Sequence, residues 1–270
     1  MLDSRGAPAP VKIATWNVNG IRARQDEVAT FVTRERPDVL CLQEIKATRD
    51  HIPGGVGELA LTDYWGYWHG SKGYSGVALL VRKDVEADRP MYLHPDFDVE
   101  TRIAVVRVAG TLVASIYVPN GGKDFAAKVR FLEAMAAYVA ALRATGDRVV
   151  LCGDLNVART EKDVHPDERN NRLVGQRPDE RALLERIIDG GALRDVGRDQ
   201  EPDNDRLFTW WAPWRNMRQR NIGWRLDYVL ASGALAARTS RCVSMREYGT
   251  SDHAPVVATF GDAGASTLPS

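Results

Sequence analysis

The sequence predicts an α/β protein in which mixed sheets are covered by helices. Short runs rich in Val, Ile and Leu recur along the chain, as core strands do. Stretches with helical spacing separate several of these runs. At Ala109-Gly110-Thr111 two runs lie so close together that a tight hairpin must join them. Hairpins combined with helical crossovers exclude a uniform parallel barrel.

The strand candidates are 11–16, 38–43, 76–82, 103–109, 111–118, 148–153, 226–231 and 255–260. A first helix, Gln25 to Arg36, ends before Pro37, whose ring disfavours a helical residue ahead of it. The segment Asp124 to Thr145 places Phe125, Val129, Leu132, Ala136, Val139 and Leu142 at helical spacing, and Gly146 closes it. A third helix, Pro178 to Asp189, opens with Pro, Asp and Glu and stops at Gly190-Gly191. Segments 155–177 and 196–224 are long and polar, and read as loops over the functional face. Residues 1–10 and 261–270 read as mobile tails on one domain spanning 11–260, without linker or repeat.

With 270 residues, 44% of them hydrophobic, the chain can bury a large core. Its formal net charge is zero, so any attraction to a polyanion must be local. No run is long enough for a membrane helix and the first residues lack the apolar core of a signal peptide, so a cytoplasmic protein is expected. Cys41, Cys152 and Cys242 form no CxxC pair and read as reduced thiols. The five histidines show no zinc-type spacing, and no structural zinc is expected.

Polar residues gather where the apolar runs end: Asn17 and Asn19 in WNVNG, Glu44 in CLQE, Tyr117 and Asn120 in IYVPNG, Asp154 and Asn156 in GDLN, Asp227 in WRLDY, and Asp252-His253 in SDHAPV. If the runs are core strands, these residues form one basket of oxygen and imidazole donors. Such a basket suits a hard cation such as Mg²⁺ and chemistry on phosphate. Glu44 is the first candidate ligand, because Mg²⁺ takes one or two carboxylates and keeps several waters. Asp154 and Asn156, two apart, could hold a water and a phosphate oxygen together. His253 could donate to a phosphate oxygen if a carboxylate, with Asp227 as candidate, fixed its ring. Each has a structural alternative: a strand-end glutamate, an Asx turn, a satisfied core histidine, a buried strand tyrosine. No GxSxG elbow supports a serine triad.

The segment 210–225, WWAPWRNMRQRNIGWR, holds Trp210, Trp211, Trp214 and Trp224 with Arg215, Arg218, Arg220 and Arg225, and no acid. Arginines seat backbone phosphates and flat rings stack on bases, so this patch reads as a nucleic-acid surface. Some of the tryptophans are expected to be core, Trp224 partly buried among them. Arg22, Arg24, Lys72 and Tyr74 would extend the surface.

With WNVNGIRA, LCLQEIK, GYSGVALL, YVPNG, GDLNVA, NIGWRLDY and SDHAPV in this order, the chain resembles the exonuclease III family of apurinic/apyrimidinic (AP) endonucleases, from about Val11 to Phe260. The resemblance implies a four-layer α/β sandwich, two mixed β-sheets face to face with helices outside. It implies hydrolysis of the phosphodiester 5′ to an abasic site in duplex DNA, with 3′→5′ exonuclease and 3′-end-cleaning activities. Carried onto this sequence, it makes Glu44 the main Mg²⁺ ligand, with Asn17, Asn19, Asp154, Asn156 and Asp252 near the metal and Mn²⁺ able to substitute. Asp154, Asn156, Tyr117 and the His253–Asp227 pair become the catalytic group. Arg22, Lys72, Tyr74, Asn120, Lys123, Trp210, Trp214 and Trp224 fall where the family touches DNA, and a monomer is expected. Asn19 stands where some relatives carry Asp, and the region 161–177 fits the pattern only loosely. Two rivals stay open: a relative acting on another phosphate ester, and an inactive DNA-binding scaffold.

Overall fold

The computed structural model describes residues 11–71 and 73–261. The tails expected at 1–10 and 261–270 lie outside these residues except for Gly261, and so does Lys72. In chain order the strands are β1 (Val11–Asn17), β2 (Val39–Gln43), β3 (Tyr64–Ser71), β4 (Tyr74–Arg82), β5 (Tyr92–Leu93) and β6 (Ile103–Val108). They continue with β7 (Thr111–Tyr117), β8 (Arg148–Asp154), β9 (Leu193–Asp195), β10 (Asp227–Ser232), β11 (Thr239–Ser244) and β12 (Val256–Phe260). The four longer helices are α1 (Gln25–Glu35), α2 (Gly54–Thr62), α3 (Phe125–Ala144) and α4 (Pro178–Gly190).

Two six-stranded sheets result, ordered β11-β12-β1-β2-β4-β3 and β5-β6-β7-β8-β10-β9. Each has one parallel pair, β1–β2 and β7–β8, joined by a helical crossover through α1 or α3; the other pairings are antiparallel. Successive strand residues point to opposite faces, and both faces of the central strands are covered. Ile13, Val39, Cys41, Leu79, Val150 and Val229 fill the layer between the sheets. Trp16, Leu40 and Leu42 face outward to Val28, Phe31 and Val32 of α1. Leu151 and Leu230 face outward to Leu132, Met135 and Val139 of α3 and Ile187 of α4. Burial on both faces explains why these strands read as continuous apolar runs.

All eight expected strands and all three expected helices are present. The hairpin at Ala109-Gly110 has both residues at positive φ, 47° and 74°, the signature of a type I′ turn. The elements not expected are β3, β5, β9, β11, α2 and three short helical turns, Val196–Gln200 and Met217–Arg220 within the segment read as a loop and Gly233–Ala236 after β10. Strand β3 is an edge strand of half-buried aromatics, β11 is a polar edge strand, and α2 opens on two glycines, which are poor helix formers. Among the described residues no helix is long and apolar enough to cross a membrane.

Candidate active site

The topology gathers the polar strand ends on one rim. Asn17 ends β1, Gln43 ends β2, Tyr117 ends β7, Asp154 ends β8, and Asp227 opens the antiparallel β10. Approaching this rim, the layer between the sheets changes from apolar to polar. Gln43 Nε2 donates to Ser115 Oγ (3.0 Å), and Asn17 Nδ2 donates across the sheets to Asp154 Oδ2 (2.9 Å). The chain bends sharply after the strands. Asn19, Glu44, Lys46 and Asn156 all have positive φ, between 43° and 55°. Asn tolerates that region, whereas Glu and Lys do so only when their surroundings enforce it, a form of strain that clusters at functional sites. The result is a cleft of about 490 Å³ lined by Glu44, Tyr117, Asn120, Asp154, Asn156 and His253, with Trp210 and Trp224 on one wall.

Asp154 lies at the floor, 1% exposed. The Gly153 backbone before it passes so close to β7 that a Cβ would stand 1.9 Å from the Ile116 carbonyl oxygen, so only glycine fits. Asp154 and Asn156 meet through an Asx turn rather than along an extended segment: Asn156 N donates to Asp154 Oδ1 (2.9 Å) and Asn156 Nδ2 reaches Oδ2 (3.2 Å). His253 Nδ1 donates to Asp227 Oδ2 (2.8 Å), and its Nε2 lies 3.7 Å from Asp154 Oδ2. The Trp16 indole, donating to the His253 carbonyl (3.1 Å), fixes the loop that carries this ring. Burial disfavours a charge on His253, but Asp227 and Asp154 outweigh it and raise its pKa to about 10. Burial drives the Asp154 carboxyl up, and with Asp227 nearby it reaches about 7 although His253, Asn156 and Asn17 favour its charged form. At neutral pH the site therefore holds a charged ring beside a carboxyl that can exchange a proton.

The opposite wall carries oxygen ligands. Glu44 is partly open to the cleft, and its one polar side-chain partner among the described residues is the Lys46 ammonium (3.1 Å). Lys46 also donates to Asn19 Oδ1 (2.6 Å), and Asn19 Nδ2 donates to Asp252 Oδ1 (2.8 Å). Asp252 Oδ2 accepts from the Trp210 indole (3.0 Å), which leaves each of its oxygens a lone pair. His253 and these two donors hold the Asp252 carboxyl below its usual range despite burial. Two carboxylates and amide oxygens form a hard, all-oxygen set, and it fits Mg²⁺ or Mn²⁺. Asp154, Asp227 and His253 also come within metal-chelating distance of one another, but a ring charged on both nitrogens has no lone pair to give a metal.

Tyr117, 8% exposed, faces the cleft from β7, and burial with the Glu44 and Asp154 charges keeps its hydroxyl protonated. The Arg102 guanidinium lies 4.7 Å from the Tyr117 ring and donates to the Tyr74 hydroxyl (2.9 Å). Asn120 lines the mouth, where its side chain caps Gly122 N (3.0 Å). Arg22 and Lys123 are exposed nearby in sequence. The basic-aromatic segment divides in two. Trp214 is 59% exposed, and Trp210 and Trp224 pack edge to face in the cleft wall. Trp211 is core, and Arg225 and Arg218 are not phosphate seats. Arg225 is buried in ion pairs with Asp163 and Asp195, and Arg218 donates to the Arg246, Ser251 and Tyr248 carbonyls. Arg215 and Arg220 remain exposed.

Three cations were missed by the sequence reading. Lys46 lies inside the LQEIK motif, two residues past Glu44. Lys128 is fully buried; its Nζ donates to the Asn156 carbonyl (2.7 Å) and pairs with Glu180 (2.5 Å), which steadies the turn carrying Asn156. Its signal was a lysine in phase with Leu132 and Met135 on the buried face of α3. Arg102 carried no signal, since only the fold brings it beneath Tyr117.

Comparison with known proteins agrees with this geometry. The Endonuclease/Exonuclease/phosphatase family profile matches residues 14–253. The chain is 31% identical to an exodeoxyribonuclease of Bacillus subtilis, over 91% of this chain and 98% of that one. It is 32% identical to the DNA repair nuclease APEX1 of Danio rerio, over 93% and 82% of the two chains. Its fold superposes with a TM-score of 0.83 on the 3′ phosphatase NExo from Neisseria bound to a product DNA hairpin, at 29% identity, covering 93% of this chain and 99% of that one. The chain belongs to the endonuclease/exonuclease/phosphatase family and, within it, to the exonuclease III-type DNA-repair nucleases.

Proposed function

We propose that the protein hydrolyses the phosphodiester 5′ to abasic sites in duplex DNA and also trims blocked or recessed 3′ ends. The observation that carries this reading is the placement of Asp154 3.7 Å from the His253 ring, with Asp227 on the ring's other nitrogen, in the cleft that Glu44 and Asp252 also line. Asp154, oriented by Asn17 and Asn156, takes a proton from the attacking water. The oxygen of that water forms the new bond to phosphorus. His253, held by Asp227, donates from Nε2 to a non-bridging phosphate oxygen as its charge grows. The P–O bond to the upstream 3′ oxygen breaks and that oxygen takes up a proton from water, leaving a 3′-hydroxyl and a 5′-deoxyribose phosphate. Tyr117, kept protonated, is placed to donate to the phosphate or to the leaving oxygen. Glu44 and Asp252, with Asn17 and Asn19 beside them, would hold Mg²⁺, or Mn²⁺ in its place. When bound, such a cation would offset the negative charge of the phosphate. Arg22, Tyr74, Asn120, Lys123, Trp210, Trp214 and Trp224 would form the DNA face, with Lys72 assigned to it from the sequence alone. A monomer acting in the cytoplasm belongs to the same reading.

The test is a gel assay on a duplex with one abasic-site analogue, with Mg²⁺ or with chelator, beside an intact duplex and a recessed 3′ end. Incision 5′ to the lesion that needs the metal is expected. Binding without any cut would favour the inactive scaffold, and neither binding nor cutting would favour another phosphate ester.

A further inference from the structure

Away from the cleft, the edges of the two sheets meet at a cluster of histidines. His69 is on β3, the edge of one sheet, and His94 follows β5, the edge of the other. Asp98 lies in the loop from β5 to β6. The rings of Tyr92, Tyr67, His69 and His94 stack in a row, with centroid separations of 4.9, 5.9 and 4.7 Å and interplanar angles of 13° or less. His69 Nε2 and Asp98 Oδ2 are 2.5 Å apart, and ligand atoms from His69, His94 and Asp98 all lie within 4.8 Å of one another.

We propose that His69, His94 and Asp98 form a binding site for a borderline-soft divalent metal such as Zn²⁺, separate from the Mg²⁺ site of the cleft. The chemistry of the donors separates the two sites. Two imidazoles and one carboxylate match Zn²⁺, which takes nitrogen and oxygen at about 2.0–2.2 Å in tetrahedral geometry. Mg²⁺ prefers six oxygens and competes poorly for imidazole. Ligand atoms on one tetrahedral zinc stand about 3.3 Å apart, so His69 and Asp98 need to separate by less than an ångström, and the exposed His94 ring, now stacked on His69 at 12°, turns so that its nitrogen points at the same ion. The proton that His69 Nε2 shares with Asp98 moves to Nδ1 or to solvent as the metal takes its place. The support expected behind a metal ligand is present: the other Asp98 oxygen accepts from Arg102 N (2.7 Å) and Ile103 N (3.0 Å). Three protein ligands leave the fourth position to water.

The site would staple the two sheet edges together. It also reaches the cleft, because the amide that braces Asp98 belongs to Arg102, the residue beneath Tyr117 and Tyr74. Histidine spacing in the sequence did not reveal it, since only the fold brings His69, on the edge of one sheet, to His94 and Asp98 beside the edge of the other.

The test is equilibrium dialysis of the chelator-stripped full chain against Zn²⁺ in excess Mg²⁺, with the bound metal counted, for the wild type, His94→Ala, His69→Gln and Glu44→Gln. The expected result is one Zn²⁺ per chain in the wild type and in Glu44→Gln. His94→Ala and His69→Gln should bind at least about tenfold more weakly. Co²⁺ in the same protein should give the intense visible bands of a tetrahedral site, and these should be absent in His94→Ala. His94 is exposed and lies outside the catalytic group, so its replacement leaves folding and Mg²⁺-dependent incision intact. Equal Zn²⁺ retention by wild type and His94→Ala would overturn the proposal. So would loss of the bound Zn²⁺ in Glu44→Gln, which would assign it to the cleft.

Discussion

Two buried ionic clusters grow from one short segment, at Arg225 and at Asp227, and they are built on opposite principles. Around Arg225 every charge is answered. Its guanidinium donates to Asp163 Oδ1 (2.7 Å) and to both oxygens of Asp195 (2.8 and 2.6 Å). Arg198 adds a second cation to Asp163 (2.7 Å), and Thr160 donates twice to its other oxygen. Burial alone would raise the Asp163 carboxyl, but Arg225 and Arg198 hold it down at about 2. Around Asp227 two carboxylates share one histidine. Asp227 Oδ1 is buried with no hydrogen-bond partner, and Asp154 is pushed up to about 7. A saturated cluster is scaffold. An unsaturated one has capacity left for a water, a phosphate and a proton.

The sharpest way to break this contrast is to truncate each side. Asp154→Asn or His253→Ala should lower single-turnover incision by at least about 10³-fold, and in Asp154→Asn the melting temperature should hold or rise because one of the two carboxylates that share the ring is gone. A parallel loss of stability would make this cluster scaffold too. Arg225→Met should act the other way. It leaves Asp163 and Asp195 buried without their main cation and should cost about 3 kcal/mol in urea denaturation, with kcat per folded molecule retained. Unchanged stability would show that the network is not what holds this segment.

Trp214 and Trp211 repeat the contrast among aromatics. Trp214→Ala should weaken binding to abasic duplex about tenfold, the loss expected for one stacked base, without changing the melting temperature. Trp211→Ala should unfold the loop, since that ring is 1% exposed. If Trp214→Ala and Trp210→Ala both left affinity for the lesion unchanged, no tryptophan of this loop would be in contact with the abasic gap.

Much of this was legible in the sequence, for physical reasons. Strands buried on both faces announce themselves as apolar runs, and the end of each run marks where polar residues must emerge. Asn17, Glu44, Tyr117, Asp154 and His253 were found in that way. Edge strands β3 and β11 were not, because a half-buried aromatic or polar strand lacks such a run. Charge was legible in amount and not in destination. Arg225, counted from sequence as a phosphate seat, is neutralised by Asp163 and Asp195, which are distant in sequence and adjacent only in the fold. Arg102 and Lys128 were hidden for the same reason.

The smallest expected effect is on pH, and it tests both clusters in one protein. A carboxyl near 7 acts as base only once deprotonated, so incision should rise with pH through about 7. The Asn17 amide donates to the charged form of Asp154 and lowers its pKa. Asn17→Ala should therefore move the inflection to higher pH, and a shift to lower pH would remove Asp154 from the role of base. Asp163 has the opposite sign. Its folded pKa of about 2 lies below its ordinary 3.8, so its share of stability is complete above 3.8 and is lost as pH falls toward 2. In Asp163→Asn that part of the acid dependence should vanish while the incision profile near neutrality stays in place. In its pH dependence the saturated cluster would then be felt in the acid stability of the fold, and the unsaturated one in the rate near neutral pH.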